Sequence, residues 1–399
     1  MTKGRAEIFG SELVLKKTYT FTDRNIAIFT WHGCTLELSG TGIVMPYVSD
    51  TSPMRTYLDV HASLEEKRRQ AKLSGHAGPV VMIVGPVDAG KSTLCHILLN
   101  YAVRRGHVPI FADLDVGQTS VSVPGSISAA PLTECIDPVS GIPWSLPLSY
   151  FYGSVTPSDQ PDWYKECARM LFSTIKQRLS MQADTRASGV IINTCGWIDG
   201  LGFKLLTATM LTVEPDVVLV LGEERLHVEL EGFLRTSSAS SLKKKPELVK
   251  IPKSGGAMSR TAAVRRELRM DRYRQYFYGT AGDLQPINLD LHFNDLKIYR
   301  AEEIPPAPAS ALPVGMEATQ QEALKVVPIK PSAALEDCIV AVLYATSEAD
   351  ILTANVAGFL RVVDVSLPKE RITFLAPTPG PLPSMYLLLG DSKMKWQDN

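Results

Sequence analysis

Apolar residues in this chain follow two rhythms, and the switches between them mark three regions. Residues 1–60 carry short alternating stretches at 18–21 (TYTF), 26–31 (IAIFTW) and 34–38 (CTLEL), separated by Gly, Asp and Asn, which predicts a small β domain over 1–73. Near its end, residues 63–72 (SLEEKRRQAK) are helical in composition, with Ser63 as N-cap and Glu66 three residues on. From residue 80 to about 283 the pattern changes. Continuous apolar runs at 80–84 (VVMIV), 108–112 (VPIFA), 190–194 (VIINT) and 217–221 (VVLVL) predict buried strands. Between them, 91–105, about 162–182, 201–213 and 223–234 predict helices. Such alternation implies a parallel sheet covered by helices on both faces, here over 74–283. Strand character returns at 286–300, and a proline-rich stretch at 301–315 reads as a linker or extended wrap. Alternating runs from 324 to 399 (VVPI, IVAVLYA, VAGFLRVVDV, RITFLAP, YLLLG) predict a second β domain over 284–399. Residues 338–344 read as strand rather than buried helix, on short length and β-branched content. The expected fold class is therefore α/β, a central domain flanked by two β domains.

One stretch of the central region carries a chemical signature. The apolar run 80–84 leads directly into Gly85-Pro86-Val87-Asp88-Ala89-Gly90-Lys91-Ser92, followed by Thr93 and an apolar run that opens a helix. This fits the phosphate-binding loop G-x-x-x-x-G-K-[ST] in its required strand–loop–helix setting. Backbone N–H groups of such a loop cradle phosphates, and the helix N-terminus adds partial positive charge. Lys91 is placed to reach the β/γ-phosphates and the Ser92 hydroxyl to ligate Mg²⁺.

Composition narrows the setting. The chain has 399 residues, 45% hydrophobic and 21% charged, so it is long enough for two or three domains with real cores. A net charge of −1 confines any nucleic-acid contact to a local patch. Six scattered cysteines without a C-x-x-C pair predict reduced thiols and argue against a zinc site. No signal peptide and no membrane span are expected.

Other candidates lie at the expected strand ends. Asp113 and Asp115 fall at the carboxyl end of the 108–112 strand, where ligands bind in such sheets. A carboxylate there can hold Mg²⁺ through water or accept the proton of an attacking hydroxyl. The alternative for Asp113 is a solvated strand-end carboxylate. Asn193-Thr194-Cys195-Gly196-Trp197 ends another strand on the same rim, and Trp197 can stack a base or fill the core. Residues 260–275 hold six arginines against Glu267 and Asp271, and Arg265, Arg269 and Arg272 share one helical face. Such a helix can serve as an arginine lid over a transferring phosphoryl group or as a solvated charged face. The polar insertion 237–247, with Lys243, Lys244 and Lys245, reads as a mobile solvated loop.

With these residues in view, the chain resembles the eukaryotic polyribonucleotide 5′-hydroxyl-kinase family, shared by the pre-mRNA 3′-end cleavage complex and the tRNA-splicing endonuclease complex. The resemblance rests on AEIFG (6–10), FTWHGC (29–34), GPVDAGKST (85–93), LDVGQ (114–118), SVPG (122–125), INTCGW (192–197), PKSGG (252–256), YFYG (276–279) and VAGF (356–359). It implies a central P-loop kinase domain, ATP and Mg²⁺ as cofactors, RNA with a 5′-hydroxyl end as substrate, subunits of both complexes as partners, and a nuclear location. It implies nucleotide contacts from Gly85, Asp88, Ala89, Gly90, Lys91, Ser92 and Thr93, and metal contacts from Ser92 and Asp115. Asp115 would be the general base and Arg260 and Arg265 the lid arginines, so that Lys91, Asp115, Arg260 and Arg265 form the catalytic set. Gln118, Thr156 and Trp197 would contact RNA, Trp197 by stacking the terminal base. The chain departs from the family pattern in four places. It begins after an acidic strand that helps read adenine, so the adenine end of the pocket is expected to be incomplete. Asn25 stands where a lysine is common, Gln160 where the RNA clasp has Asn, and the 237–247 loop is long. The rival to an active kinase is an ATP-bound, non-catalytic scaffold of the cleavage and polyadenylation machinery. A generic P-loop ATPase or GTPase switch is the weaker third reading, and no guanine-reading N-K-x-D stretch is present.

Overall fold

The computed structural model describes residues 1–22, 24–41, 46–145, 147–304 and 324–394. Most of the proline-rich stretch at 301–315 therefore lies outside the described residues. The chain divides into two compact units. The first comprises Met1–Asp115, Ala129–Pro147 and Ser173–Thr261; the second comprises Val116–Ser128, Leu148–Phe172 and the described residues from Ala262 on.

Five strands form the centre of the first unit. Glu247–Ile251, Val217–Leu221, Val80–Val84, Val190–Asn193 and Ile110–Asp113 lie side by side in that order, every pair parallel. All but the edge strand Glu247–Ile251 are buried almost throughout, which is why they read as unbroken apolar runs. Chain order along the sheet reverses at Val80–Val84, so the crevice beyond its carboxyl end is the switch point where ligands bind in open parallel sheets. Helices Lys91–Arg104, Leu201–Val213 and Glu224–Arg235 match the expected positions within a residue or so.

Three local expectations need correction. The helix expected at 63–72 spans Met54–Ser74, so Ser63 is an interior residue and not its N-cap. Its buried stripe is Met54, Tyr57, His61, Leu64, Arg68 and Ala71, at helical spacing. Two polar members, His61 and Arg68, hide that stripe from a hydrophobic pattern. Glu66, instead of closing a capping box, pairs with Arg69 at 2.7 Å. Second, the insertion 237–247 holds a 3₁₀ turn at Ser237–Ser241, and the strand Glu247–Ile251 starts at its last residue. As an edge strand with exposed Glu247 and Lys250 it has little apolar signal. Third, the N-terminal runs give only two-residue strands. Lys3–Gly4 pairs with Cys34–Thr35, and Glu7–Ile8 lies between Ser11–Glu12 and Ile28–Phe29; residues 18–21 form no strand. Short strands Ser126–Pro131 and Leu148–Phe151 were not marked by the pattern, the first being rich in small residues.

The N-terminal strands are fastened to helix Lys91–Arg104. Buried Glu7 accepts hydrogen bonds from the Tyr101 hydroxyl and from Arg104 Nη1, the latter at 2.8 Å. Asn100 donates to the Phe9 carbonyl at 2.8 Å and accepts from the Ile136 N–H at 2.8 Å.

In the second unit, a seven-stranded sheet runs Ile287–His292, Arg371–Ala376, Val356–Ser366, Cys338–Leu343, Tyr386–Lys393, Lys297–Glu303, Leu324–Pro328. All pairs are antiparallel except Lys297–Glu303 with Tyr386–Lys393. Cys338–Leu343 is a strand buried at every position, as its β-branched content predicts. The helix Ala262–Tyr278 is anchored by its second half. Tyr273 and Phe277 are buried, Tyr273 donates to the Pro124 carbonyl at 3.0 Å, and the Tyr276 hydroxyl accepts from the Phe359 N–H at 2.9 Å.

Candidate active site

Gly85 begins the loop that leaves the central strand of the first unit, and Lys91 begins the helix that follows it. Gly85 and Gly90 take φ of +153° and +98°, and Asp88 takes +58°, in the left-handed region that a non-glycine residue rarely enters. Ala89 is buried beneath the loop, and Ser92 and Thr93 are half-buried in the first helical turn. Lys91 folds back over the loop. Its Nζ donates to the Gly85 carbonyl at 3.0 Å and the Pro86 carbonyl at 2.8 Å, and the side chain is buried. Burial pushes its pKa down, opposed chiefly by the nearby Asp115 carboxylate.

Two carboxylates of opposite exposure end the neighbouring strand. Asp113 is fully buried, whereas Asp115 is half-exposed at the rim. One Asp113 oxygen, Oδ1, accepts from the Asp115 N–H at 3.2 Å and from Asn193 Nδ2 at 2.9 Å. The same Asn193 nitrogen reaches Ser92 Oγ at 3.2 Å. Asn193 and Asp113 are register partners on adjacent strands, which places both side chains at one level of the sheet. Beyond Asn193, Thr194 donates to the Ile83 carbonyl at 2.8 Å, fixing this chain end to the phosphate-loop strand. At Gly196 a Cβ would fall 2.6 Å from Val87 Cα, so the turn to Trp197 presses against the phosphate loop with no room for a side chain. Trp197 follows, half-exposed. Arg260 closes the first unit's set: its N–H donates to Asp88 Oδ2 at 2.8 Å, and its Nε lies 3.3 Å from Asp88 Oδ1.

The remaining candidates belong to the second unit. Gln118 donates to the Arg265 carbonyl at 3.2 Å, tying the loop after Val116 to the first half of helix Ala262–Tyr278. Thr156 sits in a turn where its N–H donates to Ser154 Oγ at 3.2 Å and its carbonyl accepts from the Tyr152 hydroxyl at 3.1 Å. Gln160 stands at the end of that turn, its N–H donating to the Tyr152 hydroxyl at 3.0 Å. Arg272 is turned inward rather than toward a phosphate. Its guanidinium donates to the Ser122 carbonyl at 3.1 Å and the Ser120 carbonyl at 2.9 Å, so it tethers the helix.

Sequence reasoning assigned no role to Asn193 and left Asp113 between two. The available signal was a polar residue closing each of two apolar strands, but their adjacency depends on the strand order.

The chain matches three family models. Residues 1–71 fit the N-terminal beta-sandwich domain of polyadenylation factor, 85–279 the P-loop of mRNA cleavage and polyadenylation factor CLP1, and 284–398 the pre-mRNA cleavage complex II protein Clp1. It is 43% identical over 394 residues to polyribonucleotide 5′-hydroxyl-kinase Clp1 of Gallus gallus, covering 97% of this chain and 89% of that protein. It is 40% identical over 403 residues to the CLP1 homolog of Dictyostelium discoideum, covering 100% and 85%. A solved complex of wild-type Clp1p with Pcf11p shares the fold, with a TM-score of 0.78 at 24% identity over 98% of this chain and 92% of that one. By extent and identity alike, the chain belongs to the Clp1 family.

Proposed function

We propose that this chain is an ATP-dependent polyribonucleotide 5′-hydroxyl kinase, moving the γ-phosphate of ATP to the 5′-hydroxyl end of RNA. One observation carries most of the weight. A phosphate loop with a buried lysine opens at the sheet's switch point beside Asp113 and Asp115, in a chain 43% identical along nearly its whole length to a protein of that name.

In this mechanism Lys91 exchanges the Gly85 and Pro86 carbonyls for the β/γ-phosphates, whose negative charge offsets the cost of burying its ammonium. The loop residues Gly85, Asp88, Ala89, Gly90, Ser92 and Thr93 hold the rest of the triphosphate. Asp115 accepts the proton of the attacking 5′-hydroxyl. A bond forms from that oxygen to the γ-phosphorus, and the bond to the ADP leaving oxygen breaks. Arg260 neutralises charge on the transferring group and Trp197 holds the RNA end; the roles of Arg265 as second lid arginine and of Gln118 and Thr156 as RNA contacts rest on the family resemblance alone. Phosphoryl transfer asks little beyond such positioning and charge stabilisation. Magnesium suits the donors, a Ser92 hydroxyl and the Asp115 carboxylate, and when bound would neutralise phosphate charge. Among the described residues no three His, Cys, Asp or Glu side chains form a metal cage. That fits an ion held by one or two protein oxygens together with substrate phosphates.

The proposal extends to a role as a subunit of the pre-mRNA cleavage machinery, supported by the family descriptions and by a fold neighbour solved with Pcf11p. Service to the tRNA-splicing endonuclease and a nuclear location rest on the family resemblance alone. Transfer of label from γ-³²P-ATP to a 5′-hydroxyl oligoribonucleotide tests the enzyme. Wild type should transfer and Lys91→Ala should not. ATP bound without transfer to RNA or DNA would instead establish the scaffold.

A further inference from the structure

Asn193 is fully buried at the end of its strand, and its amide orientation is dictated by its neighbours. Asp113 Oδ1, 2.9 Å away, belongs to a carboxylate that only accepts, so the amide nitrogen must face it. The same nitrogen reaches Ser92 Oγ at 3.2 Å. The amide oxygen Oδ1 is thereby turned to the other side, where it is buried and has no hydrogen-bond partner. A buried amide carbonyl left unbonded is costly, and in native proteins such an atom has a specific explanation, a functional role or a bound water or ion among them. It sits on the same carbon as the nitrogen that touches the Ser92 hydroxyl, the oxygen at the motif position that ligates magnesium in phosphate-binding loops.

We propose that Asn193 is a positioning residue of the magnesium–nucleotide site. Its nitrogen holds Ser92 Oγ and Asp113 in fixed relation, and its oxygen receives a water of the ion's shell. Asp113 acts through the same network. Its Oδ1 also receives the Asp115 N–H at 3.2 Å, so one buried oxygen links the Ser92 side to the backbone of the rim carboxylate. Partners behind the direct ligands typically change metal affinity by about 10–100-fold when removed. The inference rests on the kinase proposal for the identity of the nucleotide, but its test needs no turnover.

The test measures binding of ATP to the full chain by calorimetry, with Mg²⁺ and separately with EDTA. Wild type should bind Mg·ATP more tightly than metal-free ATP. Asn193→Ala should weaken Mg·ATP about tenfold or more and leave metal-free ATP within about twofold of wild type. In a Ser92→Ala background the same change should have much less effect, because the shared hydroxyl is gone. Asn193→Ser, which keeps a donor and acceptor at the strand end, should recover part of the magnesium dependence, and it carries the test if the alanine variant does not fold. Equal loss with and without Mg²⁺ would mean a merely structural residue and would overturn the inference while leaving the kinase proposal standing. Failure of wild type to bind Mg·ATP at all would overturn both.

Discussion

Asp88 grips Arg260 twice, by the backbone N–H at 2.8 Å and by the guanidinium Nε at 3.3 Å, across 172 residues of sequence. The aspartate side chain is 7% exposed and the arginine 43%, so the acceptor is fixed in the phosphate loop and the cation lies over it. Asp88 is thereby a docking point for Arg260, which the sequence placed among lid residues. Asp88→Ala should raise the KM for ATP or lower kcat by about fivefold, on the order of 1 kcal/mol for a part-exposed charged contact. Arg260→Ala should do at least as much, and the double variant should be little worse than Arg260→Ala. Additive losses in steady-state kinetics would show that the two residues act separately.

Trp197 depends on a residue with no side chain. A Cβ on Gly202 would fall 2.5 Å from the Trp197 carbonyl oxygen and 2.6 Å from its Cγ, inside any tolerable contact. On helix propensity alone Gly202→Ala should stabilise helix Leu201–Val213 by about 1 kcal/mol. The clash should dominate: indole fluorescence shifts, RNA affinity drops several-fold and ATP affinity stays unchanged. Unaltered RNA affinity in a filter-binding assay would argue against a stacking role for Trp197.

His61 makes stability depend on pH. Burial first, then the positive charge of Arg68, lowers its pKa from 6.5 to about 4, with Arg105 and His107 acting in the same sense and Glu65 against them. The unfolded chain takes up the proton near pH 6.5 and the folded chain only near pH 4. Stability contributed by this group is therefore full above about pH 6.5 and declines as pH falls toward 4. Residual solvent contact limits the loss to about 2 kcal/mol. Denaturant unfolding between pH 7 and 4 should show a shallower decline for His61→Asn than for wild type.

Arg272 should prove structural. Replacing it with alanine removes the hydrogen bonds it gives to the Ser120 and Ser122 carbonyls and should cost about 1–3 kcal/mol. Lysine cannot reproduce two donors from one planar group, so Arg272→Lys should recover little in thermal unfolding. An unchanged Tm for Arg272→Ala would contradict the tether.

Strands Val80–Val84 and Val217–Leu221 and helix Leu201–Val213 could be read from sequence to the residue, because continuous apolar runs and helical periodicity are local signals of burial. The phosphate loop was legible for the same reason: its spacing encodes one backbone shape between one strand and one helix. Helix Met54–Ser74 was seen only in part, since its buried face includes His61 and Arg68. The edge strand Glu247–Ile251 was missed because a partner on one side and solvent on the other leave little hydrophobic pattern.

What the sequence alone determined is the chain of elements and the phosphate-binding chemistry of residues 85–93, both properties of neighbouring residues. Tertiary structure decided which distant residues act on that loop. Asn193 meets Asp113 and Ser92 only because Val190–Asn193 lies between Val80–Val84 and Ile110–Asp113 in the sheet. Arg260 becomes a phosphate-loop residue only through Asp88. Strand order and register are settled by packing the whole core at once, and no local pattern records them.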